Sequence, residues 1–165
     1  MAKWLALACG VMLADQLTKF AILQSFTANK VVELTSFFNL VLVYNRGAAF
    51  SFLSDAAGWQ RGFFITIALV ASVWIIYLLR RYRQQTLFCL ALSLVLAGAL
   101  GNVIDRILFG AVIDFLDFHA YGYHWPAFNV ADSAITCGAA LLIWDGFRPH
   151  KTKIPEPPIN ASSKR

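Results

Sequence analysis

The chain has 165 residues, of which 59% are hydrophobic and only 14% charged, with a net charge of +5 and a mean hydropathy of +0.62. A soluble domain carries nearer a quarter charged residues, so the composition argues against a soluble protein and for an integral membrane protein of one domain, residues 1–148. Much of the positive charge lies beside or beyond apolar runs, at Lys3, Arg80, Arg81, Arg83, Arg148, Lys151, Lys153, Lys164 and Arg165, where it sets orientation across a bilayer and does not imply nucleic acid.

The first apolar run, residues 4–23, is long enough to cross a bilayer core of about 30 Å. It carries Asp15, Gln16 and Lys19, and Asp15 and Lys19 are spaced to pair on one helix face. Residues 24–61 differ, with β-branched and aromatic stretches at 31–33, 37–44 and 48–52 and a turn signal at Asn45-Arg46-Gly47. They predict a small sheet lying on the membrane, because an open sheet edge in lipid leaves backbone groups unpaired. Residues 62–79 and 87–104 predict two further spans, joined by the basic loop 80–85. A fourth is predicted over 128–147, with Pro126 ahead of its start. The tail, 149–165, is rich in proline and polar residues and reads as disordered. Cys9, Cys89 and Cys137 all fall in apolar segments and suggest packing, not disulfides or metal ligation. Leu5-Ala6-Leu7-Ala8-Cys9 faintly resembles a lipoprotein cleavage box, but the apolar run continues past it, so a retained first span is expected.

Positive charge favours the cytoplasm. Four spans with both termini inside place Lys3, the 80–85 loop and the tail there, and residues 24–61 and 105–127 outside. Trp59, Tyr121, Tyr123 and Trp125 then form an outer aromatic belt, and Trp4, Tyr82 and Trp144 lie near the inner face. Asp15, Asn102, Asp105, Arg106, Asn129 and Asp132 converge on one outer layer from separate segments. One reading is a structural network, with Asp105-Arg106 as an interfacial ion pair and Asp132 as a helix cap. The other is a site: two carboxyls held close share a proton, so one can activate water while its partner polarises a carbonyl. His119 and His124 sit in the outer loop without a metal motif, so no metal is expected. No nucleophile-elbow motif accompanies the serines.

Five ordered stretches resemble the lipoprotein signal peptidases, the bacterial signal peptidase II family. They are Asp15-Gln16-Leu17-Thr18-Lys19, Tyr44-Asn45-Arg46-Gly47-Ala48-Ala49-Phe50-Ser51, Gly101-Asn102-Val103-Ile104-Asp105-Arg106, Val112-Ile113-Asp114-Phe115 and Phe128-Asn129-Val130-Ala131-Asp132-Ser133. The resemblance runs from the first span through the fourth. It implies a multi-pass inner-membrane aspartyl endopeptidase of four spans with a small periplasmic β-cradle and no cofactor. It also implies removal of signal peptides from prolipoproteins just before a diacylglyceryl-modified cysteine. Such substrates and membrane lipid are then the partners of a monomer. Carried over by position, Asp114 and Asp132 form the catalytic pair, and Asp15, Asn45, Asn102, Asp105, Arg106 and Asn129 line or support it. A small transporter also needs intramembrane acids, but it favours internal repeats and midplane sites, and neither is read here. A non-enzymatic assembly factor is the remaining alternative.

Overall fold

A computed structural model describes residues 1–27, 30–47 and 58–148. The predicted strand at 48–52 and the tail at 149–165 lie outside the described residues. The elements, in chain order, are helix α1 (Ala2–Ser25), strands β1 (Val32–Thr35) and β2 (Phe38–Asn45), helices α2 (Trp59–Arg81) and α3 (Thr86–Phe109), strands β3 (Val112–Ala120) and β4 (Tyr123–His124), and helix α4 (Val130–Gly146).

Among the described residues, α1, α2 and α3 are long and apolar enough to cross a membrane. Helix α4 has 17 residues, shorter than the roughly 20 that usually span. The predicted start at 128 fails because Phe128 is used by the sheet. Its carbonyl accepts from the backbone N–H groups of Phe115 and Leu116, and its own N–H donates to Leu116. Helix α3 runs five residues past the predicted end at 104, to Phe109, and stops where Gly110 turns left-handed at φ 74°.

Helix α3 is the centre of the bundle, and α1, α2 and α4 all pack against it. Small residues allow the closest approach. A Cβ on Gly98 would collide with the Ala131 carbonyl and Ile135 of α4, and one on Gly138 would come 2.7 Å from the Ala91 carbonyl of α3. One apolar cluster joins Trp4, Ala8, Ile75, Leu79, Cys89, Leu92 and Leu96. Trp4 is buried in this cluster, with the Lys3 ammonium 4.6 Å over its ring. A second cluster, of Ile22, Leu42, Ile113 and Phe115, seats the sheet against the end of α1.

The sheet is antiparallel, in the order β1-β2-β3-β4. It therefore draws on both segments between the helices, where the sequence reading confined it to 24–61 and left 105–127 without strands. Strand β3 pairs with β2 in a register that sets Asp114 opposite Val43 and Val112 opposite Asn45. Its first four residues are all buried, so it lacks the in–out alternation that marks a half-exposed strand. The turn signal at 45–47 is used differently from a simple hairpin. Strand β2 ends at Asn45, whose side chain accepts from the Gly47 N–H at 3.0 Å in an Asx turn.

Candidate active site

The start of α4 builds the site. Asn129 caps the helix: its side-chain oxygen accepts from the Asp132 N–H at 2.9 Å, and the Asp132 carboxylate accepts in return from the Asn129 N–H at 3.3 Å. This reciprocal box satisfies two backbone donors at the helix start. The same Asn129 side chain has an amide nitrogen left over, and it donates to Asp114 Oδ1 at 2.7 Å. One buried residue thus touches both acids, one on β3 and one on α4.

Two further amides complete the shell. Asn45 Nδ2, held by its Asx turn, donates to Asp114 Oδ2 at 3.0 Å. Asn102 Nδ2, on α3, donates to Asp132 Oδ1 at 2.7 Å. The Asn102 amide can face only one way, because its oxygen accepts from Lys19 Nζ at 3.1 Å and from Asn129 Nδ2 at 3.4 Å. Among the described residues the side chains that touch the two acids are neutral amides, not cations. Asp114 is 1% exposed, whereas Asp132 is partly open. Burial, with the nearby Asp132 charge adding to it, pushes the Asp114 carboxyl up to about 7, although the bonds from Asn45 and Asn129 and the Lys19 charge act to lower it. A carboxyl in that range holds a proton near neutrality yet can give it up, which general acid–base work requires.

Beneath this pair lies an ionic layer. Lys19 Nζ sits 2.8 Å from Asp15 and 2.7 Å from Asp105, and all three side chains are nearly inaccessible. Gln16 Nε2 bridges the same two acids at 3.1 and 3.0 Å. Asp15 also accepts from the Ala131 N–H of α4 at 2.8 Å, and Asp105 from the Ile113 N–H of β3 at 3.1 Å. The layer fixes the two elements that carry Asp132 and Asp114. Asp105 therefore pairs with Lys19, not with Arg106. Adjacent helical residues face different directions, and Arg106 instead donates to the Gly47 carbonyl at 2.9 Å and stacks 5.1 Å from the Phe64 ring.

All eight residues singled out from the sequence fall in this one region. Lys19 and Gln16 were missed as site members. The spacing of Lys19 from Asp15 was readable, but its partners Asp105 and Asn102 lie far along the chain. His119 and His124 lie elsewhere, at the far end of β3. Their rings stack at 5.0 Å, with His124 2.9 Å from Asp117 and His119 3.3 Å from Asn39. Burial works to raise the Asp117 carboxyl, but the bonds from His124 and Asn39 outweigh it and hold it below its ordinary range. Among the described residues no cluster of three His, Cys, Asp or Glu side chains is arranged to hold a metal ion.

Residues 7–148 match the family model described as signal peptidase (SPase) II. The chain is 62% identical over 148 residues to the lipoprotein signal peptidase of Burkholderia vietnamiensis, covering 90% of this chain and 89% of that one. It is 60% identical, over the same length, to that of Paraburkholderia phytofirmans, covering 86% of the relative. Two solved structures of a bacterial membrane enzyme, each 31% identical, superpose with TM-scores of 0.79 and 0.81. They cover 93% and 91% of this chain, and 95% and 96% of their own.

Proposed function

We propose a specific reaction for this chain, which belongs to the signal peptidase II family and is a membrane protease. The reaction is hydrolysis of the peptide bond just before the diacylglyceryl-modified cysteine of a prolipoprotein, with Asp114 and Asp132 as the catalytic pair. The observation that carries this reading is the Asn129 bridge, which holds both acids from one buried amide and cap.

The pair works with a single shared proton. The ionised carboxylate takes a proton from a water molecule as its oxygen attacks the scissile carbonyl carbon. The protonated carboxyl donates to the carbonyl oxygen as negative charge develops there. As the tetrahedral intermediate collapses, the carbon–nitrogen bond breaks, the departing amine takes up the proton gained from water, and a hydroxyl of the intermediate returns its proton to the carboxylate that had donated one, which restores the shared proton as the new carboxyl group forms. Asn45, Asn102 and Asn129 hold the acids in place throughout. Their neutral amides support a carboxylate without the full positive charge that would strip the shared proton.

In the membrane, residues 1–148 act as one unit, with α1–α4 as four spans and both termini in the cytoplasm. The short α4 starts at headgroup depth on the periplasmic side of the inner membrane, which sets Asp132 and Asp114 at the outer leaflet boundary. Trp59, Tyr121, Tyr123 and Trp125, all exposed, lie in the outer interface, where amphipathic rings are favoured. The sheet lies over the bound peptide and helps exclude water. Arg106 donates to the backbone or ester groups of the substrate.

The lipid on the cysteine fixes the register of cleavage. Each buried methylene contributes about 0.8 kcal/mol, so two acyl chains hold the cysteine in the leaflet while its backbone sits just above. The test compares lipidated and unlipidated forms of one prolipoprotein in the same detergent. Cleavage of the unlipidated form is expected to be at least tenfold slower. Equal rates would show that the lipid is not read and would favour a general intramembrane protease.

A further inference from the structure

Among the described residues three buried side-chain polar atoms have no hydrogen-bond partner: Trp4 Nε1, Gln60 Oε1 and Arg106 Nε. The last two lie at one seam. Gln60 and Phe64 are a turn apart on α2 and share a face, and the Phe64 ring is the one against the Arg106 guanidinium. The next residue, Arg61, ties the same seam by donating to the Ile107 carbonyl of α3 at 3.1 Å. Gln60 is only 5% exposed, although glutamine is mostly a surface residue. A buried acceptor left unpaired is destabilising, so its burial here needs a compensating role.

The two orphan atoms are chemically opposite: Gln60 Oε1 accepts and Arg106 Nε donates. Arg106 is not free to turn, because its terminal nitrogens donate to the Gly47 carbonyl at 2.9 Å and the Asn102 carbonyl at 3.4 Å. Gly47 is in turn held by Asn45, which contacts Asp114. The seam therefore ends beside the acid pair. A stretch of peptide backbone supplies the missing partners together, an N–H for Gln60 and a carbonyl for Arg106. A lipid ester supplies only acceptors and would leave Gln60 Oε1 unpaired.

We propose that Gln60 is a substrate-binding residue whose side-chain oxygen accepts a backbone N–H of the signal peptide beside the cleaved bond. The proposal deepens the reading of the acid pair as a peptidase site and rests on it. Its test reads binding in an inactive Asp114→Asn background, so a failure of the catalytic assignment and a failure of this contact give different results.

The affinity of a lipidated prolipoprotein peptide is measured for Asp114→Asn alone and with Gln60→Leu added, alongside thermal midpoints of both. Binding is expected to weaken about tenfold while the midpoint holds or rises, because leucine fills the site without an unpaired oxygen. A lower midpoint with unchanged affinity would mean that Gln60 serves only the fold, and would overturn the proposal. A second arm varies the substrate. In a series of peptides, each of the four backbone amides before the cleaved bond is replaced in turn by an ester. One member is expected to lose about tenfold in affinity for the Asp114→Asn protein and to lose nothing further against the Gln60→Leu double variant. A series in which every loss is the same with and without Gln60 would refute the contact. In the otherwise wild-type chain, Gln60→Leu is expected to raise KM and leave kcat within about twofold.

Discussion

Asn129 does two jobs that a single substitution can separate. Its oxygen caps α4, and its amide nitrogen supports Asp114. In Asn129→Ser the hydroxyl can still accept from the Asp132 N–H, since serine is among the best capping residues. The donor to Asp114 is lost. A hydrogen bond to a charged group contributes about 1.5–3 kcal/mol, and one pH unit corresponds to about 1.4 kcal/mol, so the Asp114 carboxyl should move by roughly one to two units. The direction follows from the chemistry: the lost donor favoured the ionised form, so its removal raises an acid already pushed up to about 7. Activity falls at high pH as the pair loses its shared proton, so the alkaline limb of kcat/KM should shift upward by that amount. The apparent value belongs to the pair, and the infrared carboxyl band gives the same titration without turnover. Asn129→Ala loses the cap as well and should fall a further 1 kcal/mol or so in stability. An alkaline limb that stays put or moves to lower pH in Asn129→Ser would refute the reasoning.

Three other outcomes follow from the same geometry. Lys19→Met leaves Asp15 and Asp105 buried without their cation; breaking such a cluster costs about 3–5 kcal/mol, read as a large drop in thermal midpoint, with activity lost because Asn102 is no longer oriented. Gly101→Ala places a methyl 2.7 Å from Asp15 Oδ2, which should disturb the bond from Asp15 to the Ala131 N–H and lower both stability and turnover. Asp114 holds its proton up to about pH 7 when folded but only to about 4 when unfolded, so its contribution to stability is present at low pH and is lost as the pH rises toward 7. The thermal midpoint of Asp114→Asn should therefore improve relative to the parent between pH 5 and pH 8.

The helices and the polar layer were legible because they rest on local signals. Hydropathy marks α1, α2 and α3, the helices long and apolar enough to cross a membrane among the described residues. Asn129 and Asp132 are close enough in sequence to be read as a helix start. Strand β3 was not legible as a strand. Its buried residues run without alternation, and its acids, Asp114 and Asp117, look like loop polarity until their amide partners are seen. The end of α3 was placed too early because Asp105 and Arg106 resemble an interface, although Asp105 is buried on Lys19. Gln60 was invisible as well, since nothing in residues 58–64 marks one glutamine as buried. Contacts between residues 69 to 116 positions apart, such as Asn45 with Asp114 and Asp15 with Ala131, are set by tertiary packing that no local pattern encodes.

The central claim is that Asp114 and Asp132 together cut the signal peptide. Its most direct measurement is turnover of a diacylglyceryl-modified prolipoprotein by Asp114→Asn and by Asp132→Asn, each purified in detergent and shown by thermal unfolding to be folded. Neither variant is expected to cleave detectably, with Asp105→Asn as a control whose losses follow its stability. Appreciable turnover by either folded variant, or a fully stable Asp105→Asn that is inactive, would contradict the assignment of the pair.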